Sequence, residues 1–423
     1  MPSVAAVHYE PFQQAGRDRL FETYEQLRDE APVYRTESGY WVVTRYDDVR
    51  QILMDTAGFS SSAQQDEAFG LSSGPDPDAD PEAMQQLMAI VSAMPVDMEE
   101  LMSARLIISA DGAQHTRIKR IVARGFTPRR IAELDQHVRE SVEHRLAGIA
   151  TTREFEVVSQ LADPLQVELI GSLMGMPEPD RHLIQGWTHQ ATSACLGETR
   201  GTIEAQQLLM GMLREFGEYF VGTIRARRTA PTDDLISTLV RAEESETLST
   251  TEALMFLLTL MEGGQETGSS AISNMILSLL QHPDQLRDLD EHPDLIDNVV
   301  EESQRYRSPS QFFFRRTVGD QTIAGTTIPH DETVVVVVGA ANTDPRRFPE
   351  ADRFDIRRDT SKVLTFGAGP HFCLGNALAR LELRNVLTAI LPHLQRFELA
   401  DEPLTLQPSC LALGYQRVLL KAR

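Results

Sequence analysis

"FGAGPHFCLGNALARLELRNVLTAIL", Phe366 to Leu391, changes character at Cys373. Before the cysteine the stretch reads as a turn, with Gly367, Gly369 and Pro370; Gly375 follows just after it. From about Leu374 apolar residues recur at helical spacing with no breaker until Leu391. Cys373 is therefore expected just before a helix N-terminus, where unpaired N–H groups and the positive end of the helix dipole favour an anion. A thiol placed there ionises more readily and is ready to bind a metal. The glycines let the backbone approach whatever lies over the sulfur. A buried structural cysteine behind a turn is the plainer alternative, and this stretch alone leaves both open.

Composition narrows the field. The chain has 423 residues, 41% hydrophobic and 24% charged, which is ordinary for a globular protein. No run approaches twenty apolar residues, so no membrane span is expected. "MPSVAAVHYEPFQQ" lacks a basic head and an apolar core and does not read as a signal peptide. Cys195, Cys373 and Cys410 are too few and too scattered for a disulfide framework, so a cytoplasmic location is expected. A formal charge of −22 argues against a nucleic-acid partner. "RIKRIVARGFTPRR" runs against that average, with six cations between Arg117 and Arg130. It reads either as a solvated helix face or as a docking patch for an acidic protein.

A second stretch poses a different problem. Thr251 to Gln281 contains no proline and is long enough for about eight helical turns. Yet "MEGGQETGSS" sits at its centre, and each interior glycine should cost about 1 kcal/mol relative to alanine. Something must require them. Elsewhere "RDRLFETYEQLRDEAP" predicts an amphipathic helix stopped by Pro32, followed by two strands turning at Gly39 and a short helix over "YDDVRQILMD". Ser60 to about Pro95 reads as loop, with "SSGPDPDADPE" as its strongest breaker. The methionines from Met84 to Met102 read there as core filler or as a pliable pocket wall. Helix follows helix from Ile108 to Arg307. Val334 to Val338 has the composition of a strand buried on both faces, and short strands are expected at the end. With no repeat or linker, residues 1–423 are expected to form one domain, mainly α with small β-sheets.

The string from Phe366 resembles the Phe-x-x-Gly-x-x-x-Cys-x-Gly haem-ligand signature of the cytochrome P450 family. "EESQRY" is similar to the family's Glu-x-x-Arg pair through Glu302 and Arg305, with Arg353 of "DRFD" as the implied third partner. "HTRIKR" resembles the haem-propionate segment, with His115 in place and Lys119 where arginine is usual; Arg120 is the other candidate donor. Arg315 and His371 match the family's remaining propionate ligands. "GGQET" is similar to the oxygen-binding motif. The resemblance implies a single-domain fold holding haem b between a long central helix and the cysteine loop. It implies Cys373 as axial thiolate, with Phe366, Gly367, Gly264, Gly375 and Ala379 around the cofactor. It also explains the glycines: a Thr267 hydroxyl bonded to the Gly263 carbonyl would open the helix locally and make room for dioxygen. Thr267 and Glu266 become the catalytic pair, the first a hydrogen-bond donor in dioxygen activation, the second a carrier of protons from solvent.

By family position, Glu262, Leu258, Met261, Gln311, Phe312, Phe313, Leu411 and Ala412 face the substrate, with Leu208, Leu209 and Met212 in a roof. Mostly apolar walls suggest a bulky lipophilic molecule. Glu262 is unusual there; it needs a basic or hydroxylated ligand, or else another side chain or water, as partner. The chain holds no flavin, nicotinamide or iron–sulfur segment, so electrons are expected from a ferredoxin and ferredoxin reductase, with O2 as co-substrate. The expected activity is thus a monooxygenase. Rival readings are a haem-thiolate enzyme that uses peroxide or rearranges its substrate, and a non-catalytic haem ligand sensor. Glu266 and Thr267 argue against both.

Overall fold

The computed structural model describes residues 8–13, 17–68, 80–197, 199–240 and 248–423. Most of "SSGPDPDADPE" lies outside them. The central helix runs from Thr250 to Gln281, 32 residues and about 48 Å. It starts with a reciprocal cap: Ser249 Oγ accepts from the Glu252 N–H at 3.1 Å, and Glu252 Oε2 accepts from the Ser249 N–H at 2.9 Å. His282 ends it, because Pro283 cannot continue the ladder.

Two hydrophobic cores form along this helix. Its first half, Ala253 to Met261, packs with Trp187, Phe216 and Phe220. Its second half, Ala271 to Leu279, packs with Val386, Leu387 and Ile390. Residues 262–270 belong to neither core. The glycine stretch therefore sits at the gap between two packed halves, where backbone and polar groups can face a cavity.

The larger sheet has five strands in the spatial order Val33–Arg35, Trp41–Val43, Thr333–Val336, Phe313–Thr317 and Phe59–Ser60. Gly39 makes the first turn at φ +96. Val334, Val335 and Val336 are fully buried in the middle strand, as their run of apolar residues requires. Val338, expected in the same strand, instead opens a short helix, Val338–Asn342. The fold is mainly α with small sheets, as the periodicity indicated. Among the described residues no helix is long and apolar enough to cross a membrane.

Two expectations need correction. The segment read as loop contains the helices Ala63–Ala68 and Pro81–Ser92. Asp80 and Pro81, taken as breakers, are a start signal: the Asp80 carboxylate accepts from the Ala83 N–H, and Pro81 fills the first turn. The third partner of the Glu302–Arg305 pair is Arg358, not Arg353. Arg305 donates to Glu302 at 2.7 and 2.8 Å with both side chains wholly buried, and Arg358 Nε reaches Glu302 Oε1 at 3.3 Å. Arg353 lends only its backbone carbonyl, while its side chain pairs with exposed Glu350. Both arginines lie close together in sequence, and spacing could not tell which one points inward.

Candidate active site

The cysteine loop is built by backbone constraints. The Cys373 N–H donates to the Phe366 carbonyl at 2.9 Å, and the Gly367 N–H to that of Leu364 at 2.8 Å. Gly369 has φ +70, and a Cβ there would lie 2.8 Å from the Leu53 carbonyl, so conformation and space both demand glycine. The helix Asn376–Leu394 follows, and the Arg380 guanidinium sits 4.6 Å over the Phe366 ring while bonding Glu301.

Cys373 lines a cavity of about 430 Å³, with its side chain exposed. Burial pushes its thiol above the ordinary range and outweighs the N–H groups of Gly375 and Asn376 and the charges of Arg380 and Lys119. The N–H groups at the helix terminus pull the thiol down, as expected, against the larger effect of burial. A metal ion over the sulfur would ionise it, since a coordinated thiol is deprotonated outright.

One edge of the cavity is cationic. The His115 and His371 rings are 4.1 Å apart, and Asp111 Oδ1 lies 3.8 Å from His371 Nε2. Burial, with the nearby His371 and Lys119 charges, lowers His115 to about 4. Arg315, 4% exposed, donates to the Phe314 carbonyl at 2.7 Å. Burial lowers it to about 10, and among the described residues no carboxylate lies within ion-pair distance of it. Lys119 lines the cavity and donates to the Pro370 and Phe372 carbonyls, tying the helix Gly112–Val122 to the cysteine loop. Arg120, the alternative donor, is not in the wall.

On the central helix, Thr267 Oγ1 donates to the Gly263 carbonyl at 2.7 Å, four residues back. The helix nevertheless stays α throughout, so the expected local opening is absent. A Cβ on Gly263 would meet only open space, whereas one on Gly264 would come 2.9 Å from Ile170 Cδ1. The second glycine thus permits close packing against the helix Asp163–Leu173. Gly268 has a similar reason: a Cβ there would collide with the Gln166 amide, which donates to the buried Glu382 carboxyl. Burial raises Glu266 to about 7, partly offset by the Ser409 hydroxyl and the Arg17 charge.

His115, Lys119, Arg315, Phe366, Gly367, His371, Cys373, Gly375 and Ala379 all line this cavity, as do Gly264, Glu266 and Thr267. Of the substrate-facing set, Glu262, Leu258, Phe312, Phe313, Leu411 and Ala412 line it and two residues do not. Met261 is fully buried and turned into the first core. Gln311 is a tether: its Nε2 donates to the Ser308 carbonyl at 2.6 Å, and its Oε1 accepts from Tyr24 Oη at 2.9 Å. Met212 is in the wall, but Met84, Met88 and Met94 are not. Sequence reasoning missed Thr192, Cys195 and Leu196, which close the wall from the helix His182–Leu196. That helix is apolar on several faces, so its periodicity gave no signal.

The sequence pattern defining the family described as "Cytochrome P450" matches residues 192–421. A "putative cytochrome P450 123" of Mycobacterium tuberculosis is 32% identical, over 93% of this chain and 91% of the relative. A "biotin biosynthesis cytochrome P450" of Bacillus subtilis is 33% identical, over 90% of each. Among solved structures, cytochrome P450 CREJ in complex with (4-ethylphenyl) dihydrogen phosphate superposes with a TM-score of 0.86 at 28% identity. That match covers 99% of this chain and 100% of the other.

Proposed function

This chain belongs to the cytochrome P450 family, and from that premise we propose that it oxidises a lipophilic small molecule with electrons from a separate ferredoxin and ferredoxin reductase. Its general chemistry is that of the family, a haem-thiolate monooxygenase with a cysteine as axial ligand. The residues present fit that cofactor: a thiol below the cavity, small residues beside it, and a buried cation, Arg315, with no carboxylate of its own at the edge. Cys373 would ligate the iron, and Arg315, His115, Lys119 and His371 would hold the propionates. When bound, the haem iron supplies the site for reduction and cleavage of dioxygen.

The chain's own groups handle position and protons. Glu266, held near 7, can take and give a proton at neutral pH, as proton delivery requires. The Thr267 hydroxyl already donates to Gly263, so acting as a donor elsewhere requires that rotor to turn and release a 2.7 Å bond. The observation that carries the reading is this placement of an acid–alcohol pair and a cysteine thiol on one cavity. The ferredoxin proposal is supported by the basic segment, which Lys119 ties to the cysteine loop. Several of its charges are already engaged, Arg117 with Glu252 and Arg130 with Asp233. A segment whose cations are engaged within the chain would steer an acidic partner rather than grip it.

The test is the absorption spectrum of the reduced protein under carbon monoxide. A strongly red-shifted Soret band, lost in Cys373→Ser, supports the reading; an unshifted band in the wild type overturns it. The partner is tested by the rate of reduction by ferredoxin, which should fall as salt rises.

A further inference from the structure

We propose that Glu262 is a specificity determinant that selects lipophilic ligands carrying a cationic nitrogen. The proposal deepens the monooxygenase reading, resting on it only in taking this cavity as the substrate chamber. Glu262 lies one helical turn before Glu266 and lines the cavity. Its Oε1 is buried and has no hydrogen-bond partner among the described residues. The cavity walls include the apolar side chains Leu196, Met212, Leu258, Phe312 and Leu411. A carboxyl oxygen buried without a partner is costly, and protein interiors ordinarily do not keep one.

The charged groups nearby do not supply the partner. Cys195, on the helix His182–Leu196, is close enough for Glu262 to raise its thiol, and it brings no positive charge. Arg200 also acts on Cys195, but its guanidinium pairs with Glu67 at 2.9 Å and lies 3.9 Å over the Phe12 ring. Arg17 acts on Glu266 and donates to the Ala412 carbonyl at 2.8 Å. Burial first, then the neighbouring Glu266, pushes Glu262 well above the usual carboxylate range. A neutral hydroxyl on a ligand would satisfy one oxygen and leave the repulsion from Glu266 in place. A cation relieves the burial and the repulsion together.

Proton accounting gives the signature. Without ligand, burial and then the neighbouring Glu266 favour the protonated form of Glu262. A fixed cation draws the proton off, leaving a carboxylate–ammonium pair and one proton in the buffer. Affinity for the cation should therefore rise with pH, by as much as about tenfold per pH unit. A neutral ligand releases no proton, and its affinity should not rise.

The experiment compares trimethyl(4-phenylbutyl)ammonium, whose nitrogen cannot ligate iron, with its neutral carbon isostere (5,5-dimethylhexyl)benzene and with 4-phenylbutan-1-ol. Each is titrated into the holoenzyme by Soret perturbation and by calorimetry in two buffers of different protonation enthalpy. The wild type should prefer the ammonium over the isostere by about tenfold or more, with the preference growing between pH 6 and 8 and a proton released. Glu262→Gln should cut the preference below about threefold and keep the affinity for the isostere. Equal affinities in the wild type, a preference that survives Glu262→Gln, or the alcohol binding tightest would each overturn the proposal. Because Glu266 also ionises over this range, the pH series is repeated in Glu266→Gln, which leaves the Glu262 signal and decides even if Glu262→Gln does not fold. Calorimetry reads binding whatever the position of the carbon monoxide band, so failure here and failure of the monooxygenase reading stay distinguishable.

Discussion

Arg358→Ala should destabilise the protein far more than Arg353→Ala. Glu302 is wholly buried and accepts from Arg305 twice, from the Asp355 N–H at 2.9 Å and from Arg358 Nε at 3.3 Å. Arg358 is 9% exposed, while Arg353 is 58% exposed and pairs only with an exposed glutamate. A hydrogen bond to a charged group contributes roughly 1.5–3 kcal/mol, and the long Arg358 contact belongs toward the lower end, near 2 kcal/mol. The carbonyls of Glu350 and Arg353 that Arg358 also holds lie where water can replace it. An exposed ion pair such as Arg353–Glu350 contributes about 0–0.5 kcal/mol. Urea midpoints of the two variants, read by far-UV circular dichroism and by the Soret band, separate the cases. They are compared only where slopes match, because chains of this size often depart from two-state unfolding. If Arg353→Ala costs as much as Arg358→Ala, the assignment of the third partner is wrong.

Glu266 makes stability depend on pH. Its carboxyl is raised from 4.5 to about 7, so the native state keeps a proton the unfolded chain gives up. Its contribution is whole below about pH 4.5 and is lost as pH climbs through about 7, a difference of at most about 3 kcal/mol. Glu266→Gln should therefore gain on the wild type between pH 5 and 7 and run parallel above; urea midpoints that stay parallel throughout would count against it. Gly268→Thr should cost about 1–3 kcal/mol by crowding Gln166, and Gln166→Ala in the same chain should recover part of it, as a double-mutant cycle would show. Arg315→Met should leave apoprotein stability level or improved, since it removes a buried cation with no ion-pair partner. Haem loss to a scavenger protein should speed up about tenfold or more, near 1.4 kcal/mol.

What the sequence made legible was mostly what one element decides alone. The long central helix, the turn at Gly39 and the glycines around Cys373 follow from local chemistry. The hydroxyl bond from Thr267 to Gly263 follows from a spacing of four on one helix. Several misreadings depend on direction. Met261 and Glu262 are adjacent, and only helix rotation decides which meets the cavity and which the core. Gln311 looked like a pocket residue until Tyr24, nearly three hundred positions away, proved to hold it. Asp80–Pro81 was misread because the same residues break one element and begin the next.

The cavity's electrostatics join these pieces. One edge gathers His115, Lys119, Arg315 and His371, a basic cluster in a chain of net charge −22. The central helix adds Glu262 and Glu266 to the cavity wall from the gap between the two cores. Burial works against charge at both places, lowering Arg315 and His115 and raising the glutamates. Both therefore favour a guest that restores charge: an anion beside the arginine, a cation beside the glutamates. The propionates of haem meet the first demand. Glu266 has a use as a carrier of protons, and it has the Ser409 hydroxyl for company. Glu262 has neither, which is why the second demand falls on the substrate.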